Sequence, residues 1–160
     1  MSTNSDLITS FYEAFQRKDY EAMNACYHPS IVFSDPVFEN LEGGEVKAMW
    51  HMLCERGTDL VVTYSDVTAT GDEGLAHWEA TYTLAGSDRQ IDNIIDAQFV
   101  FQDDLIYRHS DSFDLWKWTR MALGTPGTLL GWSGPLQSKV RDTARRQLNR
   151  FMSEHPEYDS

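Results

Sequence analysis

The chain has no long hydrophobic run. No stretch approaches the ~20 apolar residues that span a bilayer, and the opening MSTNSDLITS lacks a basic segment followed by an apolar one. A cytoplasmic protein with no membrane partner is the expectation. Cysteine is scarce: Cys26 and Cys54 are the two present, without CxxC spacing, which excludes a disulfide scaffold and a thiolate metal site. His28, His51, His77 and His155 show neither HxH nor HExxH spacing, and His109 with Asp111 supplies too few ligands, so no metal is expected. Positive charge is also in short supply. With 13 Lys and Arg against 25 Asp and Glu the net charge is −12, a field that repels nucleic acid phosphates and anionic lipid. Repeats and low-complexity segments are absent.

What is present fits one domain. A chain of 160 residues with 12% aromatics can bury a sizeable core. Leu7, Ile8, Phe11, Ala14 and Phe15 fall at helical spacing over residues 5–18, with Ser5 placed to cap them and Tyr12 at the edge of the apolar face. Asp19 can cap a second helix from Tyr20 to Tyr27, ending before Pro29. Ile31-Val32-Phe33 reads as a short strand closed by Asp35-Pro36. Val46, Met49, Trp50 and Leu53 define a third helix that ends near Gly57. From Asp59 onward the chain turns to four long strands separated by turns at 71–74, 86–88 and 102–104, which implies an antiparallel meander.

The stretch from Gln90 to Asp114, QIDNIIDAQFVFQDDLIYRHSDSFD, organises the rest. It is an extended hairpin broken once at Gln102-Asp103-Asp104. Strict alternation on its second arm puts Tyr107, His109, Asp111 and Phe113 on one face and Ile106, Arg108, Ser110 and Ser112 on the other. Ionisable groups set between aromatic ones suit the wall of a semi-enclosed pocket. On the preceding strand Trp78, Ala80, Tyr82 and Leu84 share a face. Asn93 is in phase with Ile95 and Ala97, while Asp92 and Asp96 point outward. After Asp114 a short apolar helix (Leu115, Trp118, Met121, Ala122), a patch with Leu129, Leu130 and Trp132, and a last helix from Pro135 form an extension. Its Leu136, Val140, Ala144 and Leu148 make one stripe, and its five cations, Lys139 to Arg150, face only Asp142, so it is expected to dock on the acidic body.

Taken in order, FYEAFQRKDYEAMNACYHPSIVFSDPVF, then GLAHWEATYTL, then FVFQDDLIYRHSDSFD resemble the nuclear transport factor 2-like superfamily, whose members include ketosteroid isomerases, SnoaL-type polyketide cyclases and limonene epoxide hydrolases. The resemblance covers residues 5 to about 114. It implies an α+β fold, a cone-shaped curved antiparallel sheet packed against N-terminal helices, with residues 1–114 as the domain and 115–160 as a helical extension packing on it. It also implies a small apolar, ring-containing ligand, no cofactor, and a homodimer joined through the outer sheet face. In ketosteroid isomerases the base lies in an Asp-Pro at the end of the first strand, which here is Asp35-Pro36. The oxyanion Tyr falls on Phe11, with Tyr12 one residue off, and the second Asp falls on Asp96 or Ala97. The Asp-Arg-Asp set of a limonene-type epoxide hydrolase is not found, since Arg108 faces away from His109 and Asp111.

Asp35, His109 and Asp111 are thus the candidate catalytic residues. Asp35 is either a general base, its pKa raised by apolar walls, or an ordinary Asp-Pro turn. His109 and Asp111 are an acid and base pair, or a structural His beneath the helices with its neighbour. Tyr12, Phe15, Trp50, Trp78, Tyr82, Asn93 and Phe113 are the candidate ligand contacts. Two functions follow: an isomerase- or cyclase-like enzyme moving a proton, or a noncatalytic ligand-binding or interaction module of the same fold. A cavity where the acidic groups converge favours the first, and a cavity plugged by Trp50, Trp78, Trp116 or Trp132 the second.

Overall fold

A computed structural model describes residues 3–84, 87–124 and 134–159. Helix α1 (Asn4–Gln16) begins two residues earlier than a cap at Ser5 would allow. Thr3 is its cap: the Thr3 hydroxyl accepts from the Asp6 N–H, and the Asp6 carboxylate accepts from the Thr3 N–H, a reciprocal pair that satisfies two otherwise orphan donors. Asp19 caps α2 (Tyr20–Ala25) by accepting from Ala22 N–H at 3.1 Å. This helix stops short of Tyr27, because Tyr27 already belongs to strand β1 (Tyr27–Ser34), longer than the Ile-Val-Phe core that marks it in the sequence. Strand β2 (Leu41–Glu42) and helix α3 (Gly44–Arg56) follow.

The meander consists of β3 (Val61–Thr70), β4 (Glu73–Thr83), β5 (Gln90–Gln102) and β6 (Leu105–Ser112). The sheet has six strands in the order β2-β1-β6-β5-β4-β3. It is antiparallel except at one seam, where β1 lies parallel to β6 with Phe33 beside His109 and Ser34 beside Ser110. At the β5–β6 turn Asp103 and Asp104 both have positive φ, 57° and 63°, the geometry of a two-residue turn whose twist matches that of the strands.

One expectation on β6 is corrected. Val100 pairs with Arg108 but Phe101 pairs with Ile106, so Tyr107 is an unpaired bulge residue. The bulge breaks the period of two: Ile106 is fully buried with His109 and Asp111, while Tyr107 turns out against the His28 ring, centroids 5.3 Å apart.

Helix α1 lies across the concave face and buries Ile8, Phe11 and Phe15 there. The approach is close at Gly74 of β4, where an added Cβ would come within 2.8 Å of the Ile8 side chain. Helix α4 (Leu115–Leu123) is capped by Asp114, which accepts from Lys117 N–H at 3.1 Å. The last helix, α5 (Gly134–Ser153), packs along α3 with Leu148 and Phe151 buried. Arg141 donates to the Pro36 carbonyl at 2.8 Å and lies 3.6 Å from Glu39, and Arg145 pairs with Glu45. The patch at Leu129, Leu130 and Trp132 lies outside the described residues.

Candidate functional site

The sheet curves around a cavity of about 710 Å³ between its concave face, α3, α4 and the inner stripe of α5. Of the ten candidate residues, Asp35, Asp111, Phe15, Trp50, Trp78, Tyr82, Asn93 and Phe113 line it. Trp50 and Trp78 form wall and leave the space open. His109 and Tyr12 do not reach the cavity surface; both are fully buried behind it.

The parallel seam explains why two carboxylates share this space. Because Phe33 sits beside His109 and both point inward, the residues two further along each strand, Asp35 and Asp111, return to the same face on neighbouring strands. Asp111 is held in a buried chain of hydrogen bonds. Trp50 Nε1–H donates to the Tyr27 hydroxyl at 2.8 Å, and that hydroxyl is 2.8 Å from His109 Nδ1. With the Tyr27 oxygen accepting from Trp50, its O–H is placed to donate to Nδ1, and the single N–H of a neutral His109 then sits on Nε2, 2.9 Å from Asp111 Oδ1. Trp78 Nε1–H donates to the same oxygen at 3.4 Å. Two ring nitrogens thus converge on Asp111 Oδ1 and fix its orientation. Ala97, opposite Asp111 on β5, has no bulk to cover it.

Asp35 differs. Its Oδ1 accepts from Val37 and Phe38 N–H at 2.7 and 2.6 Å, which fixes the turn after β1. Burial, with a smaller push from Asp111, nonetheless outweighs the lowering by those amide bonds and sets its pKa at about 7. Asp35 therefore exchanges a proton near neutrality, with a second carboxyl group on the same wall.

Tyr82, also facing the cavity, accepts from Trp118 Nε1–H at 3.0 Å, so its own proton is free for another acceptor. Burial raises its pKa, as does the charge of Asp35, while the Trp118 bond lowers it. Asn93 brings a neutral amide to the same wall. Tyr12 stacks on Tyr64, centroids 5.5 Å apart, and its hydroxyl has no hydrogen-bond partner among the described residues. Asp96 points outward to His77 at 2.9 Å, leaving Ala97 inward.

Sequence reasoning missed Tyr27 and Trp118, the two residues that orient His109 and Tyr82. Trp118 carries no signal that it reaches across to β4. Tyr27 reads as a helix end, and only its pairing with Ile106 across the parallel seam makes it a site residue. It also missed Arg56 and Lys139, cations that line the cavity.

A family profile described as SnoaL-like domain matches residues 8–109. No match is found among curated proteins. Among solved structures, an NTF2-like protein of unknown function from Burkholderia pseudomallei K96243 aligns with a TM-score of 0.66 at 16% identity, covering 78% of this chain and 100% of that one. A candidate SnoaL-like polyketide cyclase from Jannaschia sp. CCS1 gives 0.67 at 16% identity, covering 77% and 93%. An LEH-like epoxide hydrolase from M. tuberculosis gives 0.60 at 16% identity, covering 83% and 94%. At such identities these likenesses show the fold alone.

Proposed function

The chain belongs to the SnoaL-like domain family, and from that premise we propose that it binds a small apolar, ring-containing molecule in the cavity and moves a proton on it, as an isomerase- or cyclase-like enzyme without a cofactor. The observation that carries this reading is the pair Asp35 and Asp111 on one largely apolar cavity, one carboxylate titrating near 7 and the other fixed by donors. Pairs of carboxyl groups whose surroundings separate their protonation are how one site supplies acid and base together.

In this reading Asp35 takes a proton from a carbon made acidic by a neighbouring carbonyl, and the electron pair moves onto that carbonyl oxygen. The phenol of Tyr82 and the amide of Asn93 are the donors placed for that oxygen. Asp35 then returns the proton, to another carbon in an isomerisation or to a new alkoxide in a ring closure. The aromatic walls hold the ring and keep water out.

Proton abstraction can be measured before the substrate is known. A panel of cyclic and aromatic ketones incubated with the protein in D2O should include members that gain deuterium next to the carbonyl, read by mass spectrometry. Asp35→Asn should lower that exchange by roughly 10²-fold or more. Equal exchange by wild type and Asp35→Asn would rule out Asp35 as the base.

A second reading, a binding module without turnover, draws on the two amide bonds that tie Asp35 into its turn. Ketones that bind in the cavity yet never exchange would favour it. In both readings the protein is a cytoplasmic homodimer, joined through the outer sheet face where Val61, Leu75, Ile94 and Val100 are exposed.

A further inference from the structure

The histidine spacings in the sequence hold no metal motif, yet the fold gathers three ligand-type groups away from the cavity. His51 and Glu55 sit at i and i+4 on α3, and His155 follows α5 at the other end of the chain. One nitrogen from each imidazole and one Glu55 oxygen all lie within 4.8 Å of one another. His51 Nε2 and Glu55 Oε2 are 3.2 Å apart, close to the ~3.3 Å edge of a tetrahedron whose bonds are ~2.0–2.1 Å.

The hydrogen bonds around the ligands orient them. His155 Nδ1 lies 2.8 Å from the Phe151 carbonyl oxygen. A carbonyl can only accept, so Nδ1 carries the proton and Nε2 keeps its lone pair. His51 Nδ1 lies 2.8 Å from the Tyr158 hydroxyl, which can accept its proton and leave Nε2 as the ligand. This is the outer support that metal-binding imidazoles require, one ring nitrogen tied to an oxygen so that the other is free. Stacking adds rigidity: Tyr20 lies on His51 with centroids 3.7 Å apart, and Phe151 lies on His155 at 3.9 Å.

We propose that His51, Glu55 and His155 bind one divalent transition-metal ion such as zinc, with a coordination position left to water. Its role is that of a clasp. Tyr158 already lies so close on the first turn of α3 that a Cβ at Gly44 would clash with its carbonyl oxygen. A metal bridging His51 and Glu55 to His155 fastens the end of α5, and with it the wall that α5 gives the cavity. The ion takes no part in the proton transfer proposed above.

The test uses tag-free, full-length protein stripped with a chelator and titrated with ZnCl2 by calorimetry, and with CoCl2 by visible absorption. Zinc should saturate at one equivalent. At about a hundred times its Kd it should raise the melting temperature by roughly 5–10 °C. Glu55 is exposed and His155 partly so, so Glu55→Gln and His155→Ala should stay folded by circular dichroism. Each should weaken zinc binding at least tenfold, while Asp35→Asn should leave it unchanged. Cobalt should give ligand-field bands that His155→Ala abolishes. Failure to saturate at one equivalent, or wild-type affinity in both folded ligand variants, would overturn the proposal.

Discussion

Asp35 serves structure and proposed chemistry with different properties of one side chain. Its Oδ1 holds the turn through two amide bonds, and its ionisation is the costly part. An unfolded aspartate titrates near 3.8, whereas this one titrates near 7. Between those values the folded state holds a proton that the unfolded state lacks, so stability falls as pH rises across the window and is level above it. Asp35→Asn keeps the acceptor and removes the charge. Its melting curve should match wild type near pH 4 and lie above it by pH 8, by on the order of 1–3 kcal/mol once partial exposure is allowed for. Chemical denaturation at the two pH values checks this, and a variant less stable than wild type at pH 8 would show that the charge is favourable where it sits. Asp35 was legible as a candidate because Asp-Pro closes a strand. Its coupling to Asp111 was not, because that depends on β1 and β6 running side by side, and no local pattern encodes the neighbour of a strand.

At the level of elements, the meander was readable from alternating apolar residues and turn chemistry. The inward set on β4 and β5 follows it, including Trp78, Tyr82, Asn93 and Ala97. Alternation failed where a bulge intervened, at Tyr107, since an unpaired residue leaves no trace in a pattern of apolar and polar positions. The stripe on α5 was visible too, but not what it covers. That helix lies on α3 through the fully buried Leu148 and closes the cavity with Leu136, Val140 and Ala144. Leu148→Ala should cost about 2–4 kcal/mol. It should also speed amide hydrogen exchange along α5 more than in β5, because the loss falls on one packed helix and leaves the central strands intact. Equal acceleration in α5 and β5 would mean that the helix opens only with the whole domain.

For the whole molecule, an outer sheet face with Val61 61% and Leu75 53% exposed is the surface the proposed dimer covers. Ile94, near the middle of that face on β5, is 46% exposed. Sedimentation should find a dimer that Ile94→Asp converts to monomer without unfolding; a wild-type monomer at high micromolar concentration would end the dimer reading. The larger claim is that the fold sets two carboxyl groups on one cavity and raises the pKa of Asp35 there. The measurement closest to it is a pH titration of the 13C-labelled aspartate carboxyl resonances, with Asp35 assigned through the signal lost in Asp35→Asn. The account predicts a midpoint of about 7, moving lower in Asp111→Asn yet remaining above the ordinary carboxylate range, because burial is the larger cause. A midpoint near 4 in the wild-type protein would contradict it.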